Sequence, residues 1–325
     1  MSHQEENMSH SSHSQVRCGI VLAGGEGKRL QPFIQRLRGK DLPKQYVNFI
    51  GRRSMLEHTY HRAEKLLSPD RLFTVVSRDH LRHPEVWRQL SDRPKGSVIF
   101  QPLNKETGPG IMLPLMRLYK YYPEAVVVLF PSDHFVLEED QFMHHVDLAY
   151  HIVERDPSRL VLLGVEPYAP ESEYGYILPV DGAAGFTPYG LRPVSRFIEK
   201  PDQHAAKEIF HKGGLWNTMV MAFKAETLLG LARKVAPVLS RSFHRIWRSV
   251  GTPSENAVVE DVYRKIKPVN FSKDLLEAIS AQHSSHLQVL PVRGVYWSDW
   301  GSERRIKSML SQMNYPQEWV EIQMA

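Results

Sequence analysis

Short apolar runs separated by helical patterns recur along the first half of the chain. Buried strands are predicted at residues 20–22, 72–76, 98–100, 126–130 and 160–164. Between these runs, Ser54 and Glu57 form a capping box that begins a helix, and a short helix follows Pro84. Residues 138–155 carry apolar side chains on one helical face. The alternation of strands and helices predicts parallel βαβ units.

The run Val126–Phe130 is the most apolar strand pattern in the sequence. Because it is continuous rather than alternating, we expect a central strand that is covered on both faces. It stops at Pro131-Ser132-Asp133. In open parallel sheets, ligands bind beyond the carboxyl ends of the strands, so Asp133 is expected on the same rim as the residues that follow the first strand.

The second half of the chain differs in composition, since proline and glycine become frequent after Glu166. Strands are predicted at 174–178 and 194–198, and both are expected to be less buried than the earlier strands. They are followed by a predicted strand at 215–223, helices within 224–266, a strand at 287–292 and a final helix from Ser302. No internal repeat is visible. The predicted fold is α/β, with a Rossmann-like, mixed and mostly parallel sheet flanked by helices, in one domain over residues 17–312.

Three segments are predicted to lie outside this regular structure. Residues 1–16 are polar and lack apolar periodicity, which predicts a disordered tail. Metal binding by its three histidines, His3, His10 and His13, is the alternative. Residues 31–40 are basic and are expected to form a mobile loop, and residues 313–325 a C-terminal extension.

Composition adds limits on compartment and partners. With 325 residues, 42% of them hydrophobic and 24% charged, the chain is ordinary for a globular protein. The single cysteine, Cys18, excludes an internal disulfide framework and is expected to be a buried structural thiol. No run reaches the roughly 20 apolar residues of a membrane span, and no secretory signal is visible, so we expect a cytoplasmic protein without a membrane partner.

The net charge of +5 and the pI of about 9.1 raise the question of nucleic-acid binding. Basic residues are spread through 29–53 and 233–248, which is a weak signal for nucleic-acid binding. Phosphorylated small substrates would favour the same sign of charge. We therefore expect small phosphorylated partners and no nucleic acid.

A glycine-rich loop follows the first strand and indicates phosphate binding. The backbone of Leu22, Ala23, Gly24, Gly25 and Gly27 is expected to approach an anionic ligand closely. The spacing fits neither a P-loop nor a dinucleotide fingerprint, since Leu22 and Leu30 stand where those motifs need glycine. A tight turn that binds no ligand stays open as the alternative.

Charged residues near this loop and at the ends of apolar runs supply the remaining candidate chemistry. Arg29 and Lys44 place positive charge beside the glycines. Asp133 and Asp299 each follow an apolar run, and two carboxylates with phosphate oxygens are a usual Mg²⁺ site. Since aspartate after a strand is also a common helix cap or turn residue, that alternative stays open for each position.

Several motifs resemble one family, the sugar-phosphate nucleotidyltransferases. The stretch Leu22–Leu30 fits L-A-G-G-x-G-x-R-L, and Pro43-Lys44-Gln45-Tyr46 is similar to the P-K-Q-F of its mannose-1-phosphate guanylyltransferase branch. Further matches follow in the same order, at Phe130–His134, Pro170–Ile177, Phe197–Asp202, Leu215–Asn217 and Trp297–Gly301. The resemblance runs from Gly19 to about Leu310.

The resemblance implies a nucleotide-diphospho-sugar transferase fold, a reaction and a set of site residues. The enzyme would join a nucleoside triphosphate to a sugar 1-phosphate and release pyrophosphate, with GTP and mannose 1-phosphate favoured and GDP-mannose as product. By resemblance, Arg29 and Lys44 would act in catalysis, and Asp133 and Asp299 would hold Mg²⁺ or another divalent cation. The nucleotide would be bound by the glycine loop together with Gln101, Thr107, Gly108 and Ser132. The sugar phosphate would be bound by Gly175, Glu199, Lys200 and Asn217. A homodimer is compatible with the family.

Departures from the family pattern bear on specificity. Where the branch shows E-P-x-x-R-N-T-A-P, this chain has Gln101–Pro109, with Lys105-Glu106 in place of Arg-Asn. Lys28 stands where threonine is usual, and Gln31 replaces a tryptophan. Another base, another sugar, or a regulatory subunit that binds a nucleotide sugar without turnover therefore remain as alternatives.

Overall fold

The structure is a computed structural model that describes residues 16–180 and 188–313. Apart from Val16 and Met313, the tail predicted over 1–16 and the extension predicted over 313–325 lie outside the described residues. The strands are β1 Arg17–Ala23, β2 Leu72–Ser77, β3 Val98–Gln101, β4 Val126–Pro131, β5 Phe135–Val136, β6 Leu160–Val165, β7 Tyr176–Pro179, β8 Arg192–Ile198, β9 Leu215–Lys224, β10 Leu287–Val292 and β11 Trp297–Ser298.

The helices alternate with these strands in the first half and cluster in the second. They are α1 Gln31–Arg38, α2 Met55–Ala63, α3 Pro84–Leu90, α4 Thr107–Tyr121, α5 Glu139–Arg155, α6 Gln203–His211, α7 Ala225–Val235, α8 Pro237–Ser249, α9 Glu255–Lys265, α10 Glu277–Gln282 and α11 Glu303–Gln312. A short π-helical segment, Phe271–Leu276, precedes α10. No helix in the described ranges is long and apolar enough to cross a bilayer.

Over the described residues, the main sheet has nine strands in the order β3-β2-β1-β4-β9-β6-β10-β8-β7, with a further pairing of β7 with β9. Strands β8 and β9 run opposite to the others, since each pairs antiparallel with its neighbours. The predicted α/β class and the mixed sheet are therefore confirmed, and seven of the nine strands run in one direction. Strands β5 and β11 form a separate antiparallel pair.

Strand β4 lies at the fourth position of the sheet and every one of its residues is buried. Its side chains alternate between two cores, because Val126, Val128 and Phe130 pack in one apolar cluster while Val127 and Leu129 pack in the other. The prediction of a central strand covered on both faces is confirmed, and the carboxyl end of this strand delivers Ser132 and Asp133.

The predicted start of α2 is confirmed in detail. The Ser54 hydroxyl accepts the Glu57 backbone N–H at 3.1 Å, and the Glu57 carboxylate accepts the Ser54 backbone N–H at 2.6 Å. These two bonds satisfy backbone donors that the first helical turn leaves without partners. The capping box fixes the point at which the chain leaves the loop that carries Lys44.

Two expectations about local structure are wrong. Residues 31–38 of the predicted mobile loop form α1, because Phe33, Ile34 and Leu37 share one buried face despite the surrounding positive charge. Three of the four residues of β7 are buried, contrary to the expected exposure, since β7 pairs with both β8 and β9.

Helix α4 is an element that the sequence pattern did not predict. Its sequence contains Gly108, Pro109, Gly110 and Pro114, all of which are poor helix formers. Ten of its 15 residues are buried, so tertiary packing against the sheet outweighs local propensity. Its first residues belong to the segment Gln101–Pro109, which departs from the family pattern.

Candidate active site

A cavity of about 600 Å³ collects most of the predicted site residues from segments far apart in sequence. The predicted residues that line it are Leu22, Gly24, Gly25, Gly27, Arg29, Lys44, Gln101, Thr107, Ser132, Asp133, Gly175, Glu199, Lys200, Asn217 and Asp299. This volume lies within the usual range of small-molecule sites. Residues that the strand ends and the family resemblance assigned to one site thus lie on one cavity.

Two predicted nucleotide-binding residues are not brought to the cavity wall. The Ala23 side chain is fully buried, and its carbonyl accepts the Gln45 side-chain N–H at 2.9 Å and the Tyr46 hydroxyl at 3.2 Å. The Gly108 backbone N–H donates to the Val269 carbonyl at 2.8 Å. Both residues therefore hold neighbouring segments in place instead of lining the cavity.

The glycine loop is held tightly against the segment that carries Lys44. Gly27 has φ 61°, and a Cβ at this position would lie 3.1 Å from Lys44 Cβ, so glycine fits both the backbone and the close approach. The Gln45 side chain also donates to the Gly25 carbonyl at 2.8 Å. These contacts fix the distance between the loop backbone and the Lys44 ammonium.

Lys44 joins the two predicted metal-binding segments. Its side chain is only 5% exposed. Its Nζ lies 2.9 Å from Asp133 Oδ2 and donates a hydrogen bond to the Asp299 backbone carbonyl. A buried ammonium held by a carboxylate and a carbonyl has little conformational freedom, so its charge is fixed at this point of the cavity.

The small sheet of β5 and β11 explains why Asp133 and Asp299 meet. Asp133 and His134 directly precede β5, and Asp299 directly follows β11. The two strands run antiparallel with Trp297 opposite Val136 and Ser298 opposite Phe135. This pairing places Asp299 beside the segment of Asp133 and His134, although the two aspartates are more than 160 positions apart in the chain.

Both aspartates are held in the ionised form. Burial would raise the pKa of Asp133, but the charges of Lys44 and His134 outweigh burial and lower it. Burial acts on Asp299 in the same way and is outweighed by Lys44 and Arg305, which lower its pKa. At neutral pH this end of the cavity therefore holds two ionised aspartates, whose segments Lys44 links.

Asp299 is oriented by three hydrogen bonds to one of its carboxylate oxygens. Asp299 Oδ1 accepts hydrogen bonds from the Tyr174 hydroxyl at 3.0 Å, the Gly301 backbone at 2.9 Å and Arg305 Nη1 at 2.9 Å. Arg305 also pairs with Glu171 at 2.9 Å. Sequence reasoning missed Arg305, which lies in α11 outside the matched motifs, and only its place six residues after the aspartate could have suggested it.

Arg29 lies at the open side of the cavity. Its side chain is 54% exposed, with Nη1 3.2 Å from Glu173 Oε1 and Nη2 3.8 Å from Asp299 Oδ2. In contrast to Lys44, this guanidinium is solvated and its ion pairs are weak ones. It can therefore turn towards an anionic ligand at small cost.

The donor set at this point fits a divalent cation that is shared with a substrate. Mg²⁺ is typically held by one or two carboxylates together with phosphate oxygens and water, not by a complete protein cage. Asp133 and Asp299 supply two ionised carboxylates on one cavity. Over residues 16–180 and 188–313, no cluster of three or more acidic, histidine or cysteine ligands is present. The residues thus fit Mg²⁺ binding that is completed by phosphates.

The opposite side of the cavity carries the predicted sugar-binding residues. A Cβ at Gly175 would lie 2.7 Å from Glu199 Oε2, so glycine lets the Glu199 carboxylate lie directly against the backbone here. The Asn217 backbone N–H donates to the Gly175 carbonyl at 2.8 Å. Lys200 Nζ lies 3.7 Å from Glu199 Oε1. Burial raises the pKa of Glu199 in spite of the nearby Lys200 charge.

Backbone strain gathers around the same cavity. Within the described residues, the non-glycine positions with positive φ are Glu106, Tyr189, Lys200, Met219 and Trp300. Three of these five line the cavity, and a fourth, Trp300, directly follows Asp299. Such conformations cost about 1–3 kcal/mol each and tend to persist where the surrounding structure fixes a functional geometry.

The loop between β3 and α4 forms a further wall. Gln101 is buried and its Oε1 has no hydrogen-bond partner among the described residues. Glu106 has φ 68° and ψ −175°, a region that is almost restricted to glycine, and its backbone N–H donates to Asn104 Oδ1 at 3.0 Å. Thr107 Oγ1 accepts the Phe271 backbone N–H at 2.8 Å.

Residues 18–314 match the model of the family described as Nucleotidyl transferase. The chain belongs to this family. Among curated relatives, it is 29% identical over 229 residues to the xanthan biosynthesis protein XanB of Xanthomonas campestris pv. campestris, which covers 70% of this chain and 46% of the relative. It is 29% identical over 222 residues to mannose-1-phosphate guanylyltransferase of Escherichia coli, over 67% and 45% of the two chains. This family member thus spans about half the length of the curated relatives it matches.

Solved structures of other proteins share the fold. A crystal structure described as mannose-1-phosphate geranyltransferase from Thermus thermophilus has a TM-score of 0.73 and 27% identity, and covers 90% of this chain and 79% of that one. UDP-glucose pyrophosphorylase complexed with UDP-glucose has a TM-score of 0.55 at 13% identity, over 92% and 100% of the two chains. The second likeness concerns the fold alone. The predicted family and fold are confirmed.

Proposed function

We propose that this protein transfers a nucleoside monophosphate from a nucleoside triphosphate to a sugar 1-phosphate, with GTP and mannose 1-phosphate as the favoured pair. The observation that carries the proposal is the meeting of Lys44, Asp133 and Asp299 on the cavity that the glycine loop and the Glu199–Lys200 pair also line. One side of this cavity suits a triphosphate, and the other suits a phosphorylated sugar.

The reaction needs alignment and charge neutralisation more than proton transfer. A phosphate oxygen of the sugar 1-phosphate forms the new bond to the α-phosphorus, while the bond from the α-phosphorus to the bridging oxygen breaks and pyrophosphate leaves. The attacking oxygen is already anionic, so no general base is required. The chain's task is to hold the two phosphates in line.

Lys44 and Arg29 have different parts in this scheme. Lys44 is fixed, so its ammonium stabilises negative charge at a constant position as the bond to pyrophosphate breaks. Arg29 is exposed and leaves its pair with Glu173 to bind the triphosphate. Asp133 and Asp299 would hold Mg²⁺, which neutralises phosphate charge when it is bound.

The favoured base is supported by the chemistry of the loop between β3 and α4. Gln101 and Glu106 both line the cavity, and their side chains carry oxygens that accept hydrogen bonds. Guanine presents two adjacent N–H donors on its Watson–Crick edge, whereas adenine, cytosine and uracil each place an acceptor beside the donor. Replacement of the family's Arg-Asn by Lys105-Glu106 is therefore compatible with guanine.

The choice of mannose 1-phosphate rests on the sugar end of the cavity and on the relatives. Relatives at about 29% identity include mannose-1-phosphate guanylyltransferase of Escherichia coli. The Glu199 carboxylate and the Asn217 amide can accept and donate hydrogen bonds to sugar hydroxyls, and Lys200 can bind the sugar's phosphate. These groups suit a hexose 1-phosphate, and the relatives favour mannose among hexoses.

The test is pyrophosphate release with Mg²⁺, measured for five nucleoside triphosphates (ATP, GTP, CTP, UTP and dTTP) against several sugar 1-phosphates. We expect release with GTP and mannose 1-phosphate. Release with another pair would keep the reaction and contradict the specificity. Absence of release with every pair, with nucleotide-sugar binding still measurable, would contradict catalysis and favour a binding subunit.

A further inference from the structure

A second cavity lies next to the segment that carries Lys44. It has a volume of about 470 Å³ and shares no lining residue with the first cavity. The buried side chains of Leu42, Tyr46 and Val47 form its apolar part. The remaining lining is polar and strongly charged, and neither the family motifs nor the proposed reaction uses these groups.

Positive charge is in excess on this cavity. Four cations and two carboxylates line it. Glu57 is occupied by the cap of α2, and Glu85 is paired with Lys40. In the part of the chain that the structure describes, neither Arg52 nor Arg88 has a carboxylate partner, and both are exposed. Guanidinium groups in a concave site bind phosphate well, because they offer paired N–H donors.

An acceptor beside these arginines indicates that the ligand is more than an anion. Glu85 Oε2 is buried and has no hydrogen-bond partner among the described residues. The hydrogen bond from Lys40 lowers the pKa of Glu85, so the carboxylate is ionised at neutral pH and can only accept. A buried acceptor without a partner is costly, and a ligand hydroxyl would satisfy it.

We propose that this second cavity binds a small phosphorylated compound that carries hydroxyl groups, of the hexose phosphate class. Arg52 and Arg88 bind its phosphate, and Glu85 accepts a hydroxyl. The volume is ample for such a ligand. Inorganic phosphate alone would use the arginines and leave Glu85 without a donor.

The position of this site couples it to the first cavity. Lys44–Tyr46 form one short 3₁₀ turn, so Lys44 lines the first cavity while Tyr46 lines the second. The Tyr46 hydroxyl donates to the Ala23 carbonyl at 3.2 Å, directly before the glycine loop. Gln89, which also lines the second cavity, donates to the Tyr46 carbonyl at 3.0 Å. A ligand that moves Tyr46 must therefore move Lys44 or the loop.

The experiment is calorimetric titration of the full chain with mannose 6-phosphate, inorganic phosphate and free mannose. Mannose 6-phosphate lacks the 1-phosphate that the proposed reaction consumes. We expect millimolar or tighter binding of mannose 6-phosphate, at least about tenfold weaker in the Arg52→Ala/Arg88→Ala variant. Glu85→Gln should weaken mannose 6-phosphate but not inorganic phosphate.

Two controls identify the cavity that is occupied. Arg53→Ala removes a neighbouring exposed arginine that does not line the second cavity, and binding should be unchanged. Lys200→Ala alters the sugar-phosphate end of the first cavity, and binding of mannose 6-phosphate should again be unchanged. Loss of binding in Lys200→Ala, or no binding of any probe at millimolar concentration, would overturn the proposal. Equal binding of phosphate and mannose 6-phosphate, insensitive to Glu85→Gln, would overturn the hydroxyl contact.

Coupling has its own test, which does not depend on turnover. The affinity for GTP is measured with and without saturating mannose 6-phosphate, in the unaltered chain and in Arg52→Ala/Arg88→Ala. We expect a change of about fivefold or more in the unaltered chain only, since coupling between two sites typically changes affinity by at least this factor. An unchanged affinity would show that the second site does not act on Lys44.

Discussion

The pKa values of the carboxylates are shifted in opposite directions at the two ends of the first cavity. At the phosphate end, Lys44 and Arg305 lower the pKa of the aspartates that burial alone would raise. At the sugar end, burial raises the pKa of Glu199, and the solvated Lys200 at 3.7 Å does not compensate. One end is held by charge pairs between distant segments, whereas the other is shaped mainly by backbone.

This difference indicates how each end meets its ligand. A fixed set of ionised groups suits a metal ion and phosphates, whose charges must be matched from the start. A poorly compensated carboxylate on a strained backbone gains its partners when hydroxyl groups arrive. Substitutions at the two ends should therefore differ in kind as well as in size.

The largest effect is expected for Lys44→Ala. Removal of the fixed ammonium should lower turnover about 10²–10³-fold, the usual loss for one group that stabilises charge in a transition state. Steady-state pyrophosphate release measures it, and Lys65→Ala, a lysine outside both cavities, is the matched control. An equally severe loss of folding stability would contradict the catalytic assignment.

A smaller and more selective effect is expected at the sugar end. Gly175→Ala places a Cβ about 2.7 Å from Glu199 Oε2, which must shift. The KM for the sugar 1-phosphate should rise about tenfold, a loss near 1.4 kcal/mol, with a smaller change for the nucleotide. Gly230→Ala, where a Cβ meets nothing within 4 Å, should leave both constants unchanged. An equal rise of both KM values would contradict the division of the cavity.

Folding stability should respond to Asp299 in a pH-dependent way. The pKa of Asp299 is lower in the folded state than in the unfolded state, so its ionised form stabilises the fold at pH values above the unfolded-state pKa. This stabilisation is lost as the pH falls through the folded-state pKa. Asp299→Asn should cost about 2 kcal/mol at neutral pH, since it weakens charge-assisted bonds to Arg305. Chemical denaturation at neutral and acidic pH should show the difference from the unaltered chain shrinking in acid.

Glu199→Gln should give the smallest effect on stability, with the opposite sign. The raised pKa means that the ionised carboxylate destabilises the fold at neutral pH, and protonation removes this cost as the pH falls below the unfolded pKa. The variant should be more stable than the unaltered chain at neutral pH and equal to it in acid, while sugar 1-phosphate binding weakens. Destabilisation at neutral pH would contradict the contrast between the two ends.

Much of the fold could be predicted because the strongest patterns were local. The apolar run Val126–Phe130 and the Ser54–Glu57 cap needed no tertiary information. Helix α4 could not be predicted, since Gly108 and Pro114 disfavour a helix that only packing stabilises. Helix α1 was missed for another reason, because the positive charge around it masks the apolar spacing of Phe33, Ile34 and Leu37.

The candidate site was predictable as a set of motifs but not as a geometry. The family resemblance indicated that Lys44, Asp133 and Asp299 belong together, yet the contact between Lys44 and the Asp299 carbonyl depends on the pairing of β5 with β11. No pattern pointed to Arg305, because a single arginine in a helix carries no signal of its partner. The second cavity was also invisible, since its charges come from three separate segments.

The pairing of β5 with β11 has a consequence for how the protein is made. During synthesis, β5 leaves the ribosome roughly 160 residues before its partner strand, so nearly half of the chain is made between Asp133 and the strand that brings Asp299 to it. Contacts this distant in sequence form late in folding. A nascent chain can therefore have most of its sheet in place and still lack the site, which is completed only as the final helix docks.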